Sequence, residues 1–249
     1  MPPANARAGR APHTWACLAH AATDNAVTDT LRRGTGVGSE QLIAGIGDPM
    51  VRELAARGQV RSFPKNTVII NEGDRGDSLF VILSGKVKVY VSDDDGREMI
   101  LDIHGPGDYV GEMSLDGRPR SASVMTLEPS TCAVVTREAL REAIANNPDV
   151  AMALISTLID RARIATDNVK NLALMDVYGR VARLLLALAK EQPDGKLVVP
   201  ERMTQQDIAD RVGASRDMVS RIFKDLTVGG YVTVVDRQIT INRKPPARW

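Results

Sequence analysis

Between positions 59 and 135 apolar residues recur at every second position in short runs, whereas on either side they recur at every third or fourth. A period of two predicts strands and a period of 3.6 predicts helices. The alternating runs fall at 60–63, 67–70, 79–83, 87–91, 99–103, 122–127 and 131–135. Turn formers separate them: Glu72-Gly73-Asp74, Ser84-Gly85, Asp95-Gly96, Pro106-Gly107-Asp108 and Asp116-Gly117. About seven short strands so spaced predict a jelly-roll β-sandwich or barrel. Ahead of them, Asp48-Pro49 reads as a cap followed by proline at the first helical position. Val51, Leu54 and Ala55 then point inward, and Gly58 ends the helix.

Helical period returns after the strands. Thr136 caps a short helix running through Ile144, and Asn147-Pro148 opens a long one. Along the long helix Ala151, Ile155, Leu158, Ala162, Ala165, Val169 and Leu172 recur at alternating steps of four and three. That stripe is narrow and rich in small residues. It predicts a two-helix seam of about three heptads, hence a parallel homodimer, rather than a helix laid on the barrel. Residues 172–176 form the joint to a third segment, which starts with an apolar helix at 177–188 and the turn Gln192-Pro193-Asp194-Gly195.

The most specific local pattern follows. Thr204 and Asp207 make a capping box, Ala209 is small where two helices cross, Gly213 supplies a tight turn, and Ser215 caps a second helix anchored by Val219 and Ile222. This predicts a helix-turn-helix that binds DNA, with Arg216, Ser220 and Arg221 on the free face of the second helix and Ser215 at its start. Behind it, alternating residues at 231–235 and 238–241 flank Asp236-Arg237. They read as a hairpin wing whose tip, Arg237, can meet a phosphate.

Composition narrows the functional classes. The 249-residue chain carries a net charge of +1, yet residues 177–249 hold 13 Lys/Arg against 8 Asp/Glu, a local +5 that leaves the remainder at 1 − 5 = −4. A basic end on an acidic chain suits DNA binding by that end alone. Residues 1–38, rich in Ala, Gly, Pro, Thr and Arg, read as a disordered leader. No apolar segment is long enough to span a bilayer and no secretory signal is visible. Cys17 and Cys132 lie far apart and read as reduced thiols, so a cytoplasmic protein is expected. The three histidines are His13, His20 and His104, and only the last lies within the strands. They cannot build the metal centre of a jelly-roll oxygenase, and two cysteines cannot hold an iron–sulfur cluster. His104 is expected in a solvated turn rather than as a haem ligand. Neither a catalytic residue nor a metal site is expected, and the chain is not read as an enzyme.

One stretch carries ligand chemistry. In 111–123 a carboxylate, Glu112, and a guanidinium, Arg120, stand eight residues apart around a Gly/Pro turn, followed by the small residues Ser121 and Ala122. Glu112 can accept from a ribose hydroxyl, Arg120 can take a phosphate in bidentate fashion, and the small residues allow backbone amides to approach an anion.

A β-roll holding this Gly-Glu to Arg-Ser cassette, a dimer helix and a winged helix-turn-helix resembles the Crp-Fnr family of transcription regulators. The resemblance spans about residues 39–243. It is strongest to the cyclic-AMP receptor branch, to whose joint residues 171–180 are similar, and it implies an α+β chain. The domains would be a leader at 1–38, a cyclic-nucleotide-binding β-roll at 39–146, a dimerisation helix and hinge at 147–176, and a winged helix-turn-helix at 177–249. Carried over, Gly111, Glu112, Arg120 and Ser121 would bind the cyclic nucleotide, and Thr166 would reach the base from the partner subunit. Ile155, Leu158, Ala162, Ala165, Val169 and Leu172 would form the dimer interface, and Arg216, Asp217 and Arg221 would read bases. Cyclic AMP is the implied allosteric ligand, with no other cofactor. A two-fold-symmetric double-stranded operator and RNA polymerase are the implied partners. Ala165 stands where that branch has a hydroxyl, the Glu112–Arg120 spacing is short, and Asp217 replaces a glutamate. Arg118 could serve a second phosphate, so cyclic di-GMP stays open as the alternative ligand, as does a regulator without nucleotide.

Overall fold

The computed structural model describes residues 37–246. Residues 1–36 of the expected leader and the last three residues lie outside them. Helix α1 (Val37–Ala44) takes in Val37 and Gly38, so the first element starts two residues before the expected boundary. Helix α2 (Pro49–Ala56) follows, its cap Asp48 accepting from Met50 N at 2.8 Å and Val51 N at 3.3 Å, with Val51, Leu54 and Ala55 buried as the pattern predicts.

Eight strands then build the roll: β1 (Gln59–Phe63), β2 (Val68–Ile70), β3 (Ser78–Ser84), β4 (Val87–Ser92), β5 (Glu98–His104), β6 (Tyr109–Val110), β7 (Ser123–Thr126) and β8 (Ser130–Thr136). They form two antiparallel four-stranded sheets, β1-β8-β3-β6 and β2-β7-β4-β5. Strand β3 packs Leu79, Val81 and Leu83 on Ala133 and Val135 of β8 and on Leu54 and Ala55 of α2. Each sheet buries one face, which is why period-two patterning found the strands. Strand β6 escaped it, because two residues cannot show a period.

Register is regular in β4–β5 except at one place. Val89 pairs with Asp102 but Tyr90 pairs with Ile100, leaving Leu101 as an extra residue. Such a bulge re-aims the side chains beside it.

Helix α3 (Arg137–Asn146) is capped by Thr136, whose Oγ1 accepts from Ala139 N at 3.2 Å. Asn147 Oδ1 accepts from Asp149 N at 3.2 Å and Pro148 already has helical angles, so the pair opens α4 (Asp149–Leu174) as the sequence implies. Across its 26 residues α4 buries only Val150. Met152, Ile155, Leu158, Ile159, Val169 and Leu172 are exposed, Val169 at 66%. Exposed apolar side chains along one helix make a surface of the kind that protein interfaces use.

The C-terminal module begins at α5 (Val177–Leu188), where Asp176 caps Gly179 N at 2.7 Å. Strands β9 (Lys190–Glu191) and β10 (Leu197–Val199) flank the Gln192–Gly195 turn and were not foreseen. They join the wing, β11 (Val232–Val235) and β12 (Gln238–Ile241), in the sheet β11-β12-β10-β9. Between them stand α6 (Gln205–Val212) and α7 (Arg216–Val228). Leu185, Ile208, Ala209, Val219 and Leu226 close a core of their own.

Candidate ligand cavity and nucleic-acid interface

The 111–123 stretch folds as a connection, not a strand. Gly111 has φ +90°, a conformation glycine alone adopts freely. A Cβ there would stand 2.7 Å from Arg120 Nη1 and 3.0 Å from Ile70 Cδ1, so the residue is small for contact as well as for backbone reasons. A short 3-10 turn, Glu112–Asp116, follows.

Arg120 is only 7% exposed. Its Nη1 donates to Gly111 O at 2.6 Å and its Nη2 to Ser78 O at 2.8 Å, so the loop and β3 hold the guanidinium from two sides. Burial pulls its pKa below the ordinary arginine value, while the carboxylates of Asp77, Glu112 and Asp74 push the other way. A desolvated cation with acidic neighbours but no direct ion pair among the described residues gains more from an arriving anion than a surface arginine does. Glu112, with a side chain 10% exposed, is paired with Arg161 Nη1 of α4 at 2.7 Å. Arg161 Nη2 also donates to Tyr109 O, and its guanidinium lies 4.9 Å from the centroid of the Tyr109 ring. The cassette is thus tied to the long helix of its own chain.

Beside these groups opens a cavity of about 410 Å³, within the range that holds a small ligand. Gly111, Glu112, Arg120 and Ser121 line it as expected. So do Arg161, Ile164, Ala165, Asn168, Val169 and Leu172 of α4, which close the side facing the sheets. Three of these, Ala165, Val169 and Leu172, belong to the expected dimer seam, and one edge of that seam therefore faces ligand space.

Thr166 is exposed and lies off the lining of its own chain's cavity; its Oγ1 donates to Ala162 O at 2.9 Å. Arg118 is bound to Asp116 at the surface and also lies off that lining, so it does not extend the anion site as the sequence suggested. Expectation fails at His104. It ends strand β5 rather than sitting in a solvated turn, and it is 8% exposed on the cavity wall. Its Nε2 lies 3.6 Å from Asp102 Oδ2 and its Nδ1 3.6 Å from Asp108 Oδ2. The polar turn formers after it suggested solvent, but the carboxylates on both sides make burial tolerable. The His104 contact holds the Asp108 carboxyl below the usual carboxylate range, against the opposing effect of burial.

The helix-turn-helix takes the form its residues dictate. Thr204 Oγ1 accepts from Asp207 N at 3.1 Å and Asp207 Oδ2 accepts from Thr204 N at 2.7 Å, closing the capping box. Gly213 ends α6 in the left-handed region at φ 62°. Ser215 caps α7 through Met218 N at 3.2 Å. Arg216, Asp217, Ser220 and Arg221 are exposed along α7 while Val219 and Ile222 are buried beneath them. Asp236 and Arg237 both have positive φ, 49° and 64°, and make the tight turn that carries Arg237 at the wing's tip. This surface can place guanidinium groups on base edges and phosphates.

Among the described residues no helix is long and apolar enough to cross a membrane. Residues 60–147 match the cyclic nucleotide-binding domain family and residues 179–245 the Crp-like helix-turn-helix domain family. A CRP-like cAMP-activated global transcriptional regulator of Mycobacterium tuberculosis is 36% identical over 205 residues, which are 81% of this chain and 92% of that protein. The cAMP-activated global transcriptional regulator CRP of Salmonella typhimurium is 33% identical over 201 residues, covering 78% and 94%. Among solved structures, the c-di-GMP responsive global regulator CLP of Xanthomonas campestris aligns with a TM-score of 0.68 at 27% identity, over 77% of this chain and 97% of that one. With a nucleotide-binding roll and a helix-turn-helix in this order, and relatives matched over nearly their whole length, the chain belongs to the Crp-Fnr family of transcription regulators.

Proposed function

We propose that the protein is a homodimeric regulator whose binding to a two-fold-symmetric DNA operator is controlled by cyclic AMP. The observation that carries this reading is the shared wall of the cavity. Glu112 and Arg120 stand on the roll, and the opposite side is the helix whose bare stripe faces outward. A cyclic nucleotide bound there lies against α4 of its own chain, and the exposed Thr166 is available to the cavity of a partner. Only a ligand that binds two helix packings with different affinity can move the DNA-binding modules, and this position gives it that leverage. Glu112 is engaged by Arg161, so a ribose hydroxyl must share or displace that pair, which links sugar binding to the helix directly.

Gly111, Glu112, Arg120 and Ser121 hold sugar and phosphate in this reading, Arg216, Asp217 and Arg221 read base edges, and Ser215, Ser220 and Arg237 meet the DNA backbone. The module boundaries follow the joints, with the roll ending at residue 146, the dimer helix and hinge at 147–176, and the DNA module from 177 onward. RNA polymerase is the further partner that family membership implies. Cyclic AMP is favoured over cyclic di-GMP by the names of the relatives at 36% and 33% identity. Isothermal titration of the purified chain with each nucleotide, followed by operator gel shifts with and without it, tests the reading. Heat with cyclic AMP and a tighter operator complex are expected. Silence with cyclic AMP and heat with cyclic di-GMP would replace the ligand, and silence with both would remove nucleotide control.

A further inference from the structure

Outside the 111–123 stretch the cavity is walled mostly by apolar side chains, among them Val89, Leu101, Ile164 and Leu172. Such a surface buries a purine ring but cannot tell one purine from another. Asp102, His104, Arg161 and Asn168 interrupt it, and of these Arg161 is already engaged by Glu112. Leu101 and Asp102 are consecutive in β5, where side chains normally alternate between faces, yet both line the cavity because the β4–β5 bulge falls at Leu101. Asp102 is 40% exposed at its side chain; its Oδ1 accepts from Ile103 N at 2.7 Å, and Oδ2 stands 3.6 Å from His104. Across the cavity, Asn168 lies on α4 one turn beyond Ile164 and Ala165, and its carboxamide has no hydrogen-bond partner among the described residues.

We propose that Asp102 and Asn168 read the amino edge of an adenine base in this cavity. Adenine presents an exocyclic N–H donor beside ring-nitrogen acceptors. A carboxylate can only accept, so Asp102 takes the 6-amino hydrogen, and the Asn168 amide donates to a ring nitrogen. The Ile103 amide holds the Asp102 carboxylate, and His104 lies beside it with Asp108 near its other nitrogen.

The assignment rests on the cyclic-nucleotide reading above, and the test separates the two. Cyclic AMP and cyclic inosine monophosphate, which carries an acceptor oxygen in place of the 6-amino group, are titrated calorimetrically into the full chain and into Asp102→Asn and Asp102→Ala. The unaltered chain should prefer cyclic AMP by about 10- to 100-fold, the worth of a hydrogen bond to a charged group. Asp102→Ala should bring the two ligands within about threefold. Asp102→Asn keeps the shape and gains an N–H donor, so it should turn the preference toward the inosine nucleotide. A preference that survives in both variants, or equal binding by the unaltered chain, overturns the assignment while leaving nucleotide control standing. Failure of the unaltered chain to bind either ligand overturns both.

Discussion

Replacing Arg120 with alanine perturbs two properties at once, and their ratio follows from the geometry. The guanidinium serves Gly111 O and Ser78 O, at 2.6 and 2.8 Å. Each charge-assisted bond is worth ~1.5–3 kcal/mol, and burying the cation offsets part of that sum. A net loss of about 2 kcal/mol lowers the melting temperature by ~4–8 °C in a chain of this size. The nucleotide loses more. A charged contact to its phosphate contributes ~3 kcal/mol, so the dissociation constant should rise about 100-fold. At a cyclic AMP concentration 100 times the wild-type constant, ligand adds ~2.7 kcal/mol to the native protein, a rise of ~5–11 °C. The variant at the same concentration sits near its own constant, gains ~0.4 kcal/mol and should shift by ~1–2 °C. Thermal melts with and without nucleotide, checked by titration calorimetry, measure both numbers. A variant that melts early but keeps the full ligand-induced rise would show that Arg120 only braces the loop, and the phosphate assignment would fall.

Arg216→Ala should weaken specific operator binding far more than non-specific binding, whereas Arg237→Ala should chiefly reduce the salt slope, by about one unit; competition gel shifts at several salt concentrations would expose swapped roles. Leu158→Asp sets two carboxylates against each other in a two-helix seam, so sedimentation should show a monomer at micromolar concentration with the β-rich circular dichroism retained. A dimer that persists would place the interface elsewhere. Burial pushes the Cys132 thiol up to about 12, so a thiol reagent at neutral pH should label it only after denaturant unfolds the roll. Fast labelling of Cys132 in the native chain, located by peptide mapping, would contradict the packing.

Features set by neighbours in sequence were legible, and features set by neighbours in space were not. The capping box of Thr204 and Asp207, the Asp48-Pro49 start and the left-handed Gly213 all depend on residues within one turn, and the structure forms each one. Strands β1 to β5 and β7 to β8 each hold at least three residues with an alternating or buried face. Strands β6, β9 and β10 are two or three residues long and exist because longer strands bring partners to them. The cavity divides the same way. Glu112 and Arg120 were visible as a local cassette. Arg161, Asp102 and Asn168 reach it from α4 and β5, and nothing within a few residues of them marks that destination. His104 misled because its turn-forming neighbours suggest water, whereas Asp102 and Asp108 on its two sides equip it for the interior.

The Arg180 guanidinium is held by three carbonyls: Met175 O at 2.9 Å, Val212 O at 2.8 Å and Gly213 O at 3.4 Å. It therefore rivets the first residue after the long helix to the last residue of α6 and the turn glycine that follows it. A swivel between sensor and reader cannot lie within that clamp without snapping it. In the proposed dimer, torque from the helix pair would be taken up upstream of Met175, and the elbow, clasp and α5 would travel as one lever arm.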